Sequence, residues 1–305
     1  MWIIVVLAAL VAVASSQSCS CRTMKWATCE PDPCVCTLLL GNNEKQVLNC
    51  DKMVPKCFLM KAEMFRLKKG QRAVGKPVEH AFVDNDGIYD PDCESDGTFK
   101  AKQCNGTDTC WCVNSAGVRR TDKGDANLKC EKLVYTHWLR FQMKHKELPK
   151  AIDQSKLKDA IANAISERYD NFNKSLVENV EYDPDGRVIV VDVKKEIGDR
   201  TTDLTHMAYY LEKDIKDLPL FKDQAKFEPA VNGQNLAMED VLVYYVDEEP
   251  PTFTMKALTG GIIAVIVVVV LLVVVGLLLL FFLNRRQNMQ QKQYAKAEPR
   301  EMEAM

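Results

Sequence analysis

Hydrophobic positions recur along this chain in several rhythms, and each rhythm predicts a different kind of element. From Gly261 to Leu283 the run Gly-Ile-Ile-Ala-Val-Ile-Val-Val-Val-Val-Leu-Leu-Val-Val-Val-Gly-Leu-Leu-Leu-Leu-Phe-Phe-Leu contains no polar or charged side chain. At about 1.5 Å per residue it makes roughly 34 Å of helix, enough to cross the hydrocarbon core of a bilayer. A shorter apolar run, Trp2 to Ala14, opens the chain and ends in Ala14-Ser15-Ser16. It is too short to span a membrane and reads as a secretory signal, residues 1–16, cut after Ser16. Between these runs the spacing changes. Leu157, Ile161, Ala164 and Ile165 follow the caps Asp153 or Ser155 at helical intervals, and Leu204, Ala208, Leu211 and Ile215 make a second stripe. Strand-like stretches occupy 133–144 (Val134, Tyr135, Thr136, Trp138, Phe141), 176–182, 187–193 and Val241 to Val246, with a shorter one near 227–231. Asp183-Pro184-Asp185-Gly186 joins the second and third as a hairpin turn. The order β-α-β-β-α-β predicts an α+β domain over 131–249, an antiparallel sheet with helices on one face.

Charge orients this arrangement. Arg285 and Arg286 follow the long run at once, while Glu248 and Glu249 precede it. Positive charge stays cytoplasmic, so the N-terminal part is expected outside and residues 284–305 inside, joined by one transmembrane helix, 261–283. Pro250-Pro251 opens a juxtamembrane stalk, 250–260, open to shedding proteases. Over the chain of 305 residues, 40 Lys+Arg stand against 42 Asp+Glu, a formal net charge of −2. That balance excludes a nucleic-acid binder, which needs a strongly basic face. A hydrophobic content of 47% excludes a disordered chain.

All 12 cysteines lie between Cys19 and Cys130. Such density marks a disulfide framework made in an oxidising compartment. Cys19, Cys21, Cys29, Cys34, Cys36 and Cys50 fall in a first module, 17–53. Cys57, Cys93, Cys104, Cys110, Cys112 and Cys130 fall in a second, 54–130. Six cysteines allow 15 pairings, and spacing does not choose among them. Cys19-x-Cys21 and Cys34-x-Cys36 lack the spacing of zinc knuckles. Asp84-Asn85-Asp86-Gly87 breaks the calcium-loop template because its glycine falls fourth, so Asp84, Asp86, Asp90, Asp92 and Asp96 read as turn residues. No nucleophile-elbow, zinc-protease or phosphate-loop pattern occurs, and His80, His137, His145 and His206 have no ligand spacing. The expectation is no enzyme, no cofactor and no metal.

The second module carries a signature: Tyr89-Asp90-Pro91-Asp92-Cys93, Gly97-Thr98-Phe99, Gln103-Cys104, Cys110-Trp111-Cys112-Val113, Gly117 and Cys130. It resembles the thyroglobulin type-1 module. The resemblance implies the pairs Cys57–Cys93, Cys104–Cys110 and Cys112–Cys130. Trp111 is expected to supply core against these crosslinks. Some modules of this type inhibit papain-like cysteine proteases by wedging loops into the cleft, which gives an alternative function, a membrane-tethered protease inhibitor. A ligand-binding receptor without homotypic contact is a third reading.

Across the chain, Val54-Pro55-Lys56-Cys57-Phe58-Leu59-Met60-Lys61-Ala62-Glu63-Met64, Phe99-Lys100-Ala101-Lys102-Gln103-Cys104-Asn105-Gly106-Thr107, Gly117-Val118-Arg119-Arg120-Thr121-Asp122-Lys123 and Val243-Tyr244-Tyr245-Val246-Asp247-Glu248 look like the EpCAM/trophoblast cell-surface antigen family. That resemblance implies calcium-independent homotypic adhesion between epithelial cells, a cis homodimer, a plasma-membrane location at lateral surfaces and cell junctions, and a signalling tail. It also implies Cys19–Cys34, Cys21–Cys50 and Cys29–Cys36 in the first module. In the family dimer a type-1 loop, here about 66–80, docks on the partner's cysteine-free domain. The family's dibasic cleavage site reads Gln71-Arg72 in this chain. Its small-residue membrane motif for claudin partners has Leu272 in place of Ala and keeps Gly276. Two sequons, Asn105-Gly106-Thr107 and Asn173-Lys174-Ser175, make Asn105 and Asn173 the expected glycosylation sites.

Overall fold

The structure, a computed structural model, describes residues 19–70, 89–170, 172–216, 219–253 and 260–301. The expected signal segment, the distal part of the 66–80 loop from Gln71 onward, Asp84, Asp86 and His80 lie outside the described residues. The chain divides into two compact units, with the boundary between Thr252 and Phe253.

Close cysteine spacing and alternating apolar residues produce a small antiparallel sheet at the start: β1 (Thr28–Pro31), β2 (Cys34–Leu39) and β3 (Lys45–Val47). Strand alternation turns Cys36 and Leu38 inward and leaves Val35 and Leu39 exposed. Pro55 then fills the position before α1 (Lys56–Lys68), where a missing backbone N–H costs nothing. This helix buries Cys57, Phe58, Leu59 and Ala62. A short hairpin follows, β4 (Lys102–Cys104) with β5 (Cys110–Cys112).

The cysteine-free region runs β6 (Thr136–His145), α2 (Gln154–Arg168), β7 (Val177–Asp183), β8 (Val188–Lys194), α3 (Leu204–Lys216), β9 (Ala230–Val231), β10 (Gln234–Asn235) and β11 (Met238–Asp247). Four strands make one antiparallel sheet in the order β11-β6-β8-β7. Leu139, Phe141 and Met143 stand opposite Val193, Val191 and Ile189, and all six are fully buried. They meet Leu157, Ile161 and Ile165 of α2 and Leu204, Met207, Ala208 and Leu211 of α3 in one core. The helices start where the sequence caps them. Asp153 Oδ1 accepts from Ser155 N at 3.1 Å, and Asp203 Oδ1 from Thr205 N at 2.7 Å.

Two details differ from the sequence expectation. The strand expected from residue 133 begins at Thr136, because Val134 forms a parallel bridge to Asn114 of the preceding module instead. The short strand near 227–231 becomes the two-residue β9, which pairs only with β10 and stays outside the main sheet.

The second unit contains α4 (Gly260–Glu301). Its segment Ala264–Arg286 is long and apolar enough to cross a membrane, with a mean hydropathy of 3.7. The aliphatic side chains from Val265 to Leu283 are exposed, as lipid contact requires. The helix continues past the arginines, so the expected tail is helical through Glu301.

Candidate functional site: the module junction and the open sheet face

Six disulfides organise the first 130 residues. The structure joins Cys19–Cys34, Cys21–Cys50, Cys29–Cys36, Cys57–Cys93, Cys104–Cys110 and Cys112–Cys130. Sulfur clusters such as Cys21, Cys36 and Cys50 come within metal-ligand reach of one another, but every sulfur in them is already bonded to another. Trp111 is buried between two of these cysteines on β5, with Tyr89 edge-on at 5.4 Å. Burial moves the Tyr89 hydroxyl well above its ordinary range, assisted by the charge of Asp92.

Gln103 shows why the Gln-Cys element is demanding. Its fully buried amide accepts from Asp92 N at 2.8 Å and donates to Asp92 O at 2.9 Å and Lys100 O at 2.7 Å. It closes the 92–100 loop from inside. Asp96 serves that loop as a turn residue, accepting from Thr98 N and Thr98 Oγ1. Gly117 adopts φ +77°, and a Cβ there would fall 2.6 Å from the Phe99 ring.

The modules are bonded to one another as well as internally. Tyr210 of α3 donates to Thr23 O at 2.8 Å and accepts from Val54 N at 3.0 Å, so one hydroxyl joins both cysteine-rich modules and the cysteine-free region. Lys25 N donates to Leu220 O, and Lys222 N to Arg22 O. On α1, the Lys56 ammonium lies 4.4 Å from the Tyr245 ring centre, and Glu63 accepts from Tyr209 and Lys213.

At the end of β11 three consecutive carboxylates each find a cation from a different segment. Asp247 accepts from Arg120 at 2.9 Å, Asn114 at 2.8 Å and Thr136 at 3.1 Å. Burial pushes its carboxyl up, and the Asn114, Thr136 and Arg120 bonds pull against that shift. Glu248 takes both guanidinium arms of Arg200, at 2.7 and 2.8 Å, together with Gly198 N. The Arg200 bonds hold its pKa down at about 2. Glu249 pairs with Lys132. Pro250 to Thr252, expected as free stalk, are instead bonded to Arg120, because its guanidinium and carbonyl engage the segment's backbone. The Gly117–Lys123 stretch contains Arg120, but no sequence signal links it to a partner 127 residues away.

The main sheet has one covered face and one open face. Strand alternation places Trp138, Arg140, Val190, Asp192, Leu242, Tyr244 and Val246 on the side away from α2 and α3. Tyr244 is 44% exposed. Asp192 anchors the patch by accepting from Arg140 Nε at 2.8 Å and Nη2 at 2.9 Å, and from the Trp138 indole at 3.0 Å. The Arg140 bonds hold its carboxyl below the usual carboxylate range.

The expected docking loop begins at the end of α1, where Leu67, Lys68, Lys69 and Gly70 are exposed. Asn105 and Asn173 are also exposed. Each turns its Oδ1 to the backbone N–H and hydroxyl of the sequon's third residue, leaving Nδ2 without a hydrogen bond among the described residues.

Comparison with known proteins matches both folded regions. Residues 136–247 match the family described as EPCAM/Trop-2, C-terminal, and residues 66–130 match the thyroglobulin type-1 repeat. The chain is 40% identical over 265 residues to the tumor-associated calcium signal transducer 2 of Homo sapiens, covering 84% of this chain and 80% of that protein. It is 42% identical over 265 residues to the epithelial cell adhesion molecule of Bos taurus, covering 84% and 81%. The Mus musculus epithelial cell adhesion molecule is 41% identical over 255 residues, covering 81% and 78%.

Proposed function

The chain belongs to the EPCAM/Trop-2 family, and on that premise we propose that it is a single-pass cell-surface glycoprotein that joins epithelial cells by calcium-independent homotypic contact. Its N-terminal modules stand outside the cell at lateral surfaces and junctions, and its short tail signals within. The signal segment 1–16 is removed on export, and glycans occupy Asn105 and Asn173. Several relatives, those of Mus musculus and Bos taurus among them, are named for epithelial cell adhesion.

The observation that carries the reading is the open sheet face. A sheet whose other side is closed by two helices leaves Tyr244 exposed and Trp138, Leu242, Val246 and Val190 half-buried around it. Large aromatic and aliphatic side chains grouped around a salt-bridged Arg–Asp pair are the composition of a contact core. The occupant is a second copy. Its α1 end offers exposed Leu67 between Arg66 and Lys68–Lys69, while Glu181 and Asp183 line the β7 edge of the face. Basic loop on acidic edge, exchanged in both directions, closes as an isologous cis pair. Within the membrane, Leu272 and Gly276 share one stripe of α4 and offer a claudin span a groove on one side only.

Aggregation of cells expressing the full chain tests the reading. Clustering that persists in EDTA and falls with Tyr244→Glu or Leu242→Asp is expected. Clustering that disappears in chelator would overturn the calcium independence, and a soluble ectodomain that blocks papain-like proteases without self-associating would replace adhesion with the inhibitor reading.

A further inference from the structure

By exposure alone, residues 249–252 are an easy protease target, since Glu249, Pro250, Pro251 and Thr252 all reach solvent. Their backbone is not available. A bound peptide strand offers its main-chain N–H and C=O groups to the protein that receives it. Here Glu248 N donates to Tyr135 O at 3.0 Å, and Thr252 N donates to Arg120 O at 2.9 Å. The carbonyls of Glu249 and Pro250 accept from the Arg120 guanidinium at 2.6 and 2.8 Å. Thr121 and Thr252 form a parallel bridge. The segment is an added strand on the type-1 module, gripped by the side chain and the main chain of one arginine. That arginine is 8% exposed and shares a 2.9 Å ion pair with Asp247, so freeing the segment strands two nearly buried charges.

We propose that Arg120 of the type-1 module latches residues 247–252 against proteases, so that cutting the chain in this segment requires the module to let go first. This goes beyond the adhesion reading, because it concerns how the segment is cut and not what the chain contacts. The gate is conformational. Cutting tracks the small population in which the strand has lifted away. Pro250 also protects the Glu249–Pro250 bond, which leaves Glu248–Glu249 as the bond that opens.

The full-length protein in lipid vesicles, digested with a glutamate-specific endoprotease, tests this directly. The readout is the rate of cutting at Glu248–Glu249 divided by the rate after Glu147, an exposed residue beyond the other end of β6. Dividing the two rates separates local opening from general loosening of a variant. Arg120→Ala should raise the ratio about tenfold or more, and Arg120→Lys by less. Lys132→Ala, which removes only the rim ion pair to Glu249, should leave it within about twofold. A ratio unchanged in Arg120→Ala overturns the proposal, whether or not both bonds are cut faster. A rise in Lys132→Ala equal to that in Arg120→Ala overturns it too, since local charge would then be the cause.

Discussion

The ammonium of Lys56 lies 4.4 Å from the centre of the Tyr245 ring and donates to that ring's hydroxyl at 3.2 Å. Lys56 opens α1 of the type-1 module, and Tyr245 lies near the end of the last sheet strand. Tyr209 of α3 closes the other side, 5.6 Å from the ammonium. A cation at 7% exposure between two aromatic faces gains from their negative quadrupoles while little water competes. Lys56→Ala is expected to destabilise the folded modules by about 1–3 kcal/mol, because a buried charge and its stem are lost together. Denaturant unfolding checks this, and Lys68→Ala at the exposed end of α1 is the comparison.

Glu248 should make part of the stability acid-sensitive. Its carboxyl titrates at about 2 in the fold, against an ordinary value of 4.5. A depressed acid contributes fully above the unfolded value and loses that contribution as pH falls from about 4.5 toward 2. Asp247 works in the opposite sense, since its raised pKa favours the protonated form. Melting temperature measured against pH should therefore fall less steeply in this window for Glu248→Gln than for the parent.

Loop length predicts a ranking among the disulfides. Cys57–Cys93 closes a separation of 36 residues and Cys104–Cys110 one of 6. In the chain-entropy account the first is worth about 4 kcal/mol and the second about 2 kcal/mol. Paired serine variants of each bond, unfolded in urea, should keep that order.

Gly117→Ala should cost about 2 kcal/mol or more, since the new methyl meets the Phe99 ring while the backbone stays at positive φ. Gly70→Ala, also at positive φ but with open space around it, should cost less. Thermal melts of the two variants give the comparison.

Tyr244→Glu should weaken self-association without lowering the melting temperature, because its ring sits on the open face and supports no core. Sedimentation of residues 17–252 measures the first effect, and calorimetry measures the second.

Much of the α+β domain was legible because its alternation and helical stripes are driven by burial. Leu157, Ile161, Leu204 and Leu211 had to face a core, and period alone locates them. The type-1 signature was legible for a different reason: Gln103, Trp111 and Gly117 each fill a place that few other residues fit. The module junction was not legible. Arg120 and Asp247 are ordinary charged residues until folding brings them together, and so are Arg200 and Glu248. Pro250-Pro251 suggested a free stalk because a sequence does not show which backbone groups a distant arginine will take.

The Tyr210 hydroxyl, shared between Thr23 and Val54, has a consequence for recognition. An object whose parts are riveted through one oxygen presents a fixed relief. A visitor that fits this relief spends little entropy on arranging it, and contacts that are faint one by one can then add up across a crowded surface.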